Sequence, residues 1–333
     1  MKQVYAAMRR RILALFLLLL ALSLLIFASI LEFTPFGHTV FVSTGIIVPT
    51  PTPTPKPTPI PTPTPTPQPI LTAQGTPPQL TAEAVYLLDA DTGHILDEVN
   101  GEKPLPMAST TKIMTALIAI QTADLNEPIP VKQDAINRVN LDGGSSAGLV
   151  VGDTLPLKAM LYALLLPSGD DAAYAIADEL GGTRANFVQR MNLFAYRLHL
   201  FQTHYNNPDG LTLDDNLEHY TTAHDLATLT QYALHVPLFA QVVQSQHYAF
   251  STAQHRYMWD NTNKLLTTYN GMTGVKTGHT NAAGYCLVFA ATRNNHHLIG
   301  VLLDSPSELQ RNNDVAALLD WGFALPLRPP PLD

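Results

Sequence analysis

The longest apolar run lies near the N-terminus, where residues 12–31 carry no charge and are rich in Leu, Ile, Ala and Phe. A run of about 20 such residues is long enough to cross a hydrocarbon core. After position 80 the pattern changes to short apolar segments. Val85-Tyr86-Leu87-Leu88-Asp89 and His94-Ile95-Leu96-Asp97, joined around Asp91-Thr92-Gly93, predict a β-hairpin. Helical spacing follows and predicts helices over residues 110–120, 157–166, 171–180, 186–198 and 222–234. Phe187, Met191 and Phe194 mark one face of the fourth, and Thr222 is the expected N-cap of the fifth. Strand patterning resumes after Tyr248. Residues 275–278, 285–292 and 298–303 predict strands, with Asn294-Asn295 turning between the last two, and a helix over 309–321 follows. Strands at both ends of a helical middle predict an α/β (α+β) fold, an antiparallel sheet flanked by helices with a mainly helical subdomain.

Composition divides the chain further. Residues 49–69 are a Thr-Pro tract broken by Lys56, Ile60 and Gln68. Closely spaced prolines fix φ and remove backbone donors, so the tract predicts a polyproline II spacer of about 65 Å, at ~3.1 Å per residue. Arg9-Arg10-Arg11 and Lys2 precede the apolar run, which orients it N-in and C-out as a single-pass membrane anchor. The competing reading is a cleaved signal peptide followed by secretion, though no Ala-x-Ala site follows the run. Both readings export the rest. The expected organisation is a cytoplasmic basic segment at 1–11, an anchor or signal segment at 12–31, a linker at 32–79, a catalytic domain at 80–325 and a short tail at 326–333.

Charge narrows the partners. Five of the 19 basic residues and one of the 27 acidic ones lie in the first 79 positions, leaving 14 against 26 and a net charge of -12 for the remainder. An acidic globular part argues against nucleic-acid binding and against electrostatic adhesion to anionic lipid. Cys286 is the one cysteine, which excludes an intrachain disulfide, and its strand-like surroundings predict a buried core residue. His296-His297, and His199 with His204, have no convincing partner set, so neither a metal nor any other cofactor is expected.

Three short motifs carry candidate chemistry. Ser109-Thr110-Thr111-Lys112 heads an apolar helix, so Ser109 and Lys112, three residues apart, share a face. A serine hydroxyl needs a base beside it, and a lysine becomes one where burial disfavours its ammonium form. Met107, Ala108, Ile113 and Met114 would supply such a wall. The bland alternative makes Ser109 an N-cap and Lys112 a solvated residue. Ser168-Gly169-Asp170 follows Leu164-Leu165-Leu166-Pro167, at a helix end. Ser168 would shuttle a proton to the leaving amine, or else simply cap the next helix. Lys276-Thr277-Gly278 ends a strand whose edge would pair with a peptide, with Lys276 and Thr277 meeting a carboxylate, or it is an ordinary hairpin strand. Ser-x-x-Lys, a Ser-x-Asn-like triplet and Lys-Thr-Gly in that order form the catalytic set of penicillin-interacting serine enzymes.

The chain resembles the serine-type D-Ala-D-Ala carboxypeptidases, the low-molecular-mass penicillin-binding proteins, over residues 80–325. The segments that carry the resemblance are Ala108-Ser109-Thr110-Thr111-Lys112-Ile113-Met114-Thr115-Ala116-Leu117, Gly144-Ser145-Ser146-Ala147-Gly148-Leu149, Asn207-Pro208-Asp209-Gly210-Leu211, Gly274-Val275-Lys276-Thr277-Gly278-His279-Thr280 and Ala283-Gly284-Tyr285. The resemblance implies the serine β-lactamase/penicillin-binding-protein fold and peptidoglycan stem peptides ending in D-Ala-D-Ala as substrates. It makes Ser109 the nucleophile and Lys112 the general base. It assigns an oxyanion hole to the backbone N–H groups of Ser109 and His279, and the terminal carboxylate to Lys276, Thr277 and Arg311. Arg311 carries over by its interval to Trp321-Gly322-Phe323. β-Lactams should acylate Ser109.

One position departs from the family pattern. Residue 170 is Asp where the family usually has Asn, and an ionised carboxylate only accepts hydrogen bonds. Asp170 is still expected at the substrate. Alternatives therefore remain: a D,D-endopeptidase or β-lactamase of the same fold, or a weakly active or non-catalytic penicillin-binding cell-wall protein. No separate deacylating base of the kind a β-lactamase needs is identifiable.

Overall fold

The structure, a computed structural model, describes residues 17–26, 70–212 and 218–328. The chain forms two units, 1–65 and 66–333. In the first, residues 17–26 are helical with exposed leucines. The rest of the apolar run 12–31 and the Thr-Pro tract 49–69 lie outside the described residues. Among those described, no helix is long and apolar enough to cross a membrane.

The second unit is built on a five-stranded antiparallel sheet of order β3-β2-β10-β9-β8, comprising β2 (Ala84–Asp89), β3 (Ile95–Val99), β8 (Met272–Thr280), β9 (Gly284–Arg293) and β10 (His296–Ser305). Helices cover both faces, which is why its strands read as continuous apolar runs rather than alternating ones. Alternate residues serve two cores. Tyr86, Leu88, Val288, Ile299 and Val301 face the helical subdomain. Leu87, Leu287, Phe289 and Leu302 pack against Val315, Leu318 and Leu319 of the closing helix Glu308–Phe323. Asn294 and Asn295 turn β9 into β10 at φ 51° and 60°, the left-handed pair of a tight hairpin.

The helical subdomain surrounds α1 (Lys112–Thr122), which is buried from Lys112 through Ala119. A helix apolar on every side belongs inside a core. Around it lie α2 (Gln133–Asn140), α3 (Leu157–Leu165), α4 (Asp170–Gly181), α5 (Arg184–Arg197), α6 (Ala223–Leu234) and α7 (Pro237–Gln244). Thr222 caps α6 by accepting from the Asp225 N–H at 3.0 Å. The pattern did not reveal α2, α7, the small sheet of β4 (Pro128–Pro130) with β5 (Thr154–Pro156), or the hairpin of β6 (His247–Ser251) and β7 (Arg256–Asp260). Each is short and only partly buried, so its periodicity is weak. A strand β1 (Ile70–Leu71) pairs with β11 (Leu327–Arg328). The folded unit therefore extends beyond the expected 80–325 at both ends.

Candidate active site

A single turn of tight helix, Ala108–Thr111, leads into α1 and carries Ser109. Ser109 caps nothing: the residue preceding α1 is Thr111, and no side chain caps this helix. Ala108 holds φ at 47°, a left-handed conformation that costs an L-residue about 1 kcal/mol or more. The turn is pinned from outside by Asn207-Pro208-Asp209-Gly210. A Cβ at Gly210 would sit 1.8 Å from the Ala108 carbonyl oxygen, and φ there is +88°, so both space and conformation require glycine. The hydroxyl of Thr115 donates to the Pro208 carbonyl at 2.6 Å. His219 completes the clamp. Its Nδ1 accepts from the Asn206 N–H, and its Nε2 lies 2.7 Å from the Thr111 hydroxyl, which itself donates to the Ala108 carbonyl. That network fits a neutral imidazole with its proton on Nε2, and burial pushes the His219 pKa down to about 4.

Lys112 is fully buried, as are Met107, Ile113 and Met114. Its Nζ lies 2.8 Å from Ser109 Oγ, 2.5 Å from Asp170 Oδ1 and 2.8 Å from the Asp209 carbonyl. The Lys112 nitrogen thus sits among three oxygen acceptors. Asp170 opens α4, and its second oxygen accepts from the Ser145 N–H at 2.8 Å. Burial is the largest influence on its carboxyl and pushes it up to about 6, against the pull of the Lys112 charge. The Asp209 carboxylate is held by Arg138 from α2, at 2.6 Å to Nε and 3.0 Å to Nη2.

The strand β8 lies at the sheet edge, so part of its backbone has no partner within the sheet. Gly278 lets it approach the serine turn, since a Cβ there would sit 3.1 Å from the Ser109 nitrogen. Lys276 is buried and its Nζ contacts Ser168 Oγ and the Thr277 carbonyl, both at 2.9 Å. Burial, and secondarily the Lys112 charge, lowers its pKa well below the ordinary lysine range. Ser168 adopts φ 68° to reach it.

Between the helical subdomain and β8 lies a pocket of about 410 Å³. Of the candidate residues, Ser109, Ser168, Thr277, Gly278, His279 and Arg311 line it. Two expected at the substrate are placed differently. Asp170 is 2% exposed and turned to Lys112, because a buried carboxyl group is costly without a polar partner. Lys276 stands behind Ser168 rather than at the wall. Arg311 comes from the closing helix, with Nη1 3.3 Å from the Cys286 carbonyl. Glu308 stands beside it at 3.8 Å and meets Lys264 at 3.1 Å. Sequence reasoning assigned no role to Ser145, Thr262, Lys264, Tyr285 or Glu308 in this wall. The Thr262 hydroxyl lies 2.6 Å from that of Thr277, a pairing across 15 positions that no local pattern encodes.

The D-alanyl-D-alanine carboxypeptidase family profile matches residues 71–307. A D-alanyl-D-alanine carboxypeptidase of Streptomyces sp. (strain K15) is 37% identical over 264 residues, 75% of this chain and 90% of that protein. One from Bacillus subtilis is 32% identical over 73% of this chain, which spans only 62% of that relative's length. The crystal structure of the Streptomyces K15 DD-transpeptidase superposes with a TM-score of 0.71 at 35% identity, covering 75% of this chain and all of that one. The α/β fold, an antiparallel sheet flanked by helices, is thus that of the penicillin-binding proteins. By the extent of the family match and the identity to these relatives, the chain belongs to the D-alanyl-D-alanine carboxypeptidase family.

Proposed function

We propose that the protein is a serine-type D-Ala-D-Ala carboxypeptidase that trims the terminal D-alanine from peptidoglycan stem peptides. The observation that carries the reading is the 2.8 Å contact between Ser109 Oγ and a fully buried Lys112, at the foot of a pocket bordered by an edge strand. In this reading Arg311 and Thr277 hold the terminal carboxylate. Ser109 Oγ attacks the carbonyl between the two D-alanines as Lys112 takes its proton, and the backbone N–H groups of Ser109 and His279 stabilise the oxyanion. The C–N bond then breaks. Ser168, backed by Lys276, relays the proton that Lys112 took from Ser109 to the departing D-alanine amine. Water cleaves the ester and frees Ser109. β-Lactams, with the same carboxylate and a strained amide, acylate Ser109 as well.

The Streptomyces K15 relative is described both as a carboxypeptidase and as a DD-transpeptidase. A second reading follows: the acyl-enzyme is resolved by an acceptor amine rather than by water. Residues 12–31 complete the proposal as a membrane anchor, N-in and C-out, with 49–69 as a spacer and the catalytic region outside the cytoplasm.

The test is Ser109→Ala. It should abolish both D-alanine release from a diacyl-Lys-D-Ala-D-Ala tripeptide and covalent labelling by fluorescent penicillin. A mutant that still becomes labelled would refute the assignment of the nucleophile. Running the wild type with and without a glycyl acceptor separates hydrolysis from transfer.

A further inference from the structure

The pocket has a sheet side and a helical side, and they differ in what they offer a peptide. On the sheet side, β8 presents edge backbone. A peptide laid along such an edge pairs with it through every second residue, and the intervening amides face the other way. Those amides meet the helical side, where most hydroxyls are already committed. Ser109 is bonded to Lys112 and Ser168 to Lys276, while Thr262 is bonded to Thr277 of β8. Asp170 is not available either: one oxygen is taken by Lys112, the other by the Ser145 N–H, and the residue is buried. Ser145 differs. It is exposed on the pocket wall, and its hydroxyl has no partner among the described residues.

Its position is nevertheless fixed. The Ser145 N–H donates to Asp170 Oδ2 and the Ser145 carbonyl accepts from the Asp170 N–H, both at 2.8 Å. The adjoining Gly144 packs so closely that a Cβ would sit 2.6 Å from Asp170 Oδ2. Downstream, the Ala147 N–H is held by the Asp171 carboxylate at 3.0 Å, and its carbonyl accepts from Trp259 Nε1 at 2.7 Å. These backbone anchors make Ser145 a free hydroxyl on a fixed mount in the pocket that Ser109 also lines.

We infer that Ser145 is a substrate-contacting residue, whose hydroxyl bonds the acyl-side amide that faces away from β8. The inference rests on the acyl-enzyme reading and names a specificity determinant within it. The contact selects ligands that carry an amide on the acyl side of the scissile bond.

The experiment measures acylation of the full-length protein by two β-lactams. Benzylpenicillin carries an acylamino group beside the ring, whereas 6-aminopenicillanic acid has the same ring and carboxylate but a free amine. Ser145→Ala should slow acylation by benzylpenicillin about fivefold to tenfold, the scale of one hydrogen bond. It should leave 6-aminopenicillanic acid unchanged, and Ser145→Thr should retain the selectivity. The anchors are backbone groups, so the alanine variant keeps them, and an unchanged Tm verifies this. An unaltered benzylpenicillin rate, or an equal loss with both compounds, overturns the inference. If the wild type is acylated by neither compound, the acyl-enzyme reading itself fails, and this inference with it.

Discussion

At the scale of single residues, Asp170 is the most informative position. It is a carboxylate placed 2.5 Å from Lys112, the base of the proposed reaction. The carboxylate takes up one of the hydrogen bonds the Lys112 nitrogen can make and so competes with Ser109 for that group. Asp170→Asn removes the charge. The amide oxygen can accept from Lys112 or from the Ser145 N–H but not from both, so a loss of about 1 kcal/mol in stability accompanies the change. The expected outcome is faster penicillin acylation at neutral pH, on the order of tenfold for each ~1.4 kcal/mol of barrier removed. The sign of the pH dependence follows from the carboxyl, which is pushed up to about 6. Above that pH Asp170 is ionised and the mutant gains. Below it the carboxyl is neutral, and the mutant to wild-type rate ratio should fall toward one. Stopped-flow acylation across pH 5 to about 8 measures this. Slower acylation of the mutant at every pH would mean that the carboxylate is an adapted part of the site. The identity of residue 170 was legible in the sequence, and the resemblance implied that its charge lies near Lys112 and Lys276. Folding, across 58 positions, makes Lys112 the direct partner.

At the scale of elements, the site depends on one turn of helix and the loop clasped against it. The apolar run after Ser109 announces α1, and the Ser-x-x-Lys spacing announces the shared face. Neither announces that Asn207-Pro208-Asp209-Gly210 supplies a carbonyl to Lys112. Gly210→Ala tests the clasp. Its Cβ would fall 1.8 Å from the Ala108 oxygen at φ +88°, so the loop or the serine turn has to shift. Displacing the turn moves Ser109 against β8. The variant should lose about 2 kcal/mol or more in denaturant unfolding, and penicillin acylation should fall at least tenfold. Wild-type stability together with wild-type acylation would show that the clasp does not hold the nucleophile. Gly278 has the same role on the sheet side, where β8 passes the Ser109 nitrogen.

At the scale of the whole molecule, the proposed anchor and the candidate active site occupy different parts of the sequence. Three arginines before an uncharged run predict that the full-length protein stays with the membrane fraction and resists high-salt extraction. Cell fractionation with N-terminal sequencing decides this: a mature form beginning after Ala28 and free in the medium would establish cleavage instead. What the sequence by itself determined is whatever depends on local order. Hydrophobic period marked α1, α3, α4, α5, α6, the central strands and the closing helix, and motif order marked the reaction class. What only the tertiary structure decided is which charges and hydroxyls meet. Arg138 on α2 reaches Asp209 across 71 positions, Lys276 reaches Ser168 across 108, and β1 closes onto β11 over nearly the full length of the folded unit. Such pairings are set by packing in three dimensions, where burial makes an unpaired charge costly and so selects its partner. A linear pattern records the polar residue, but its partner is fixed only once the chain has closed around both.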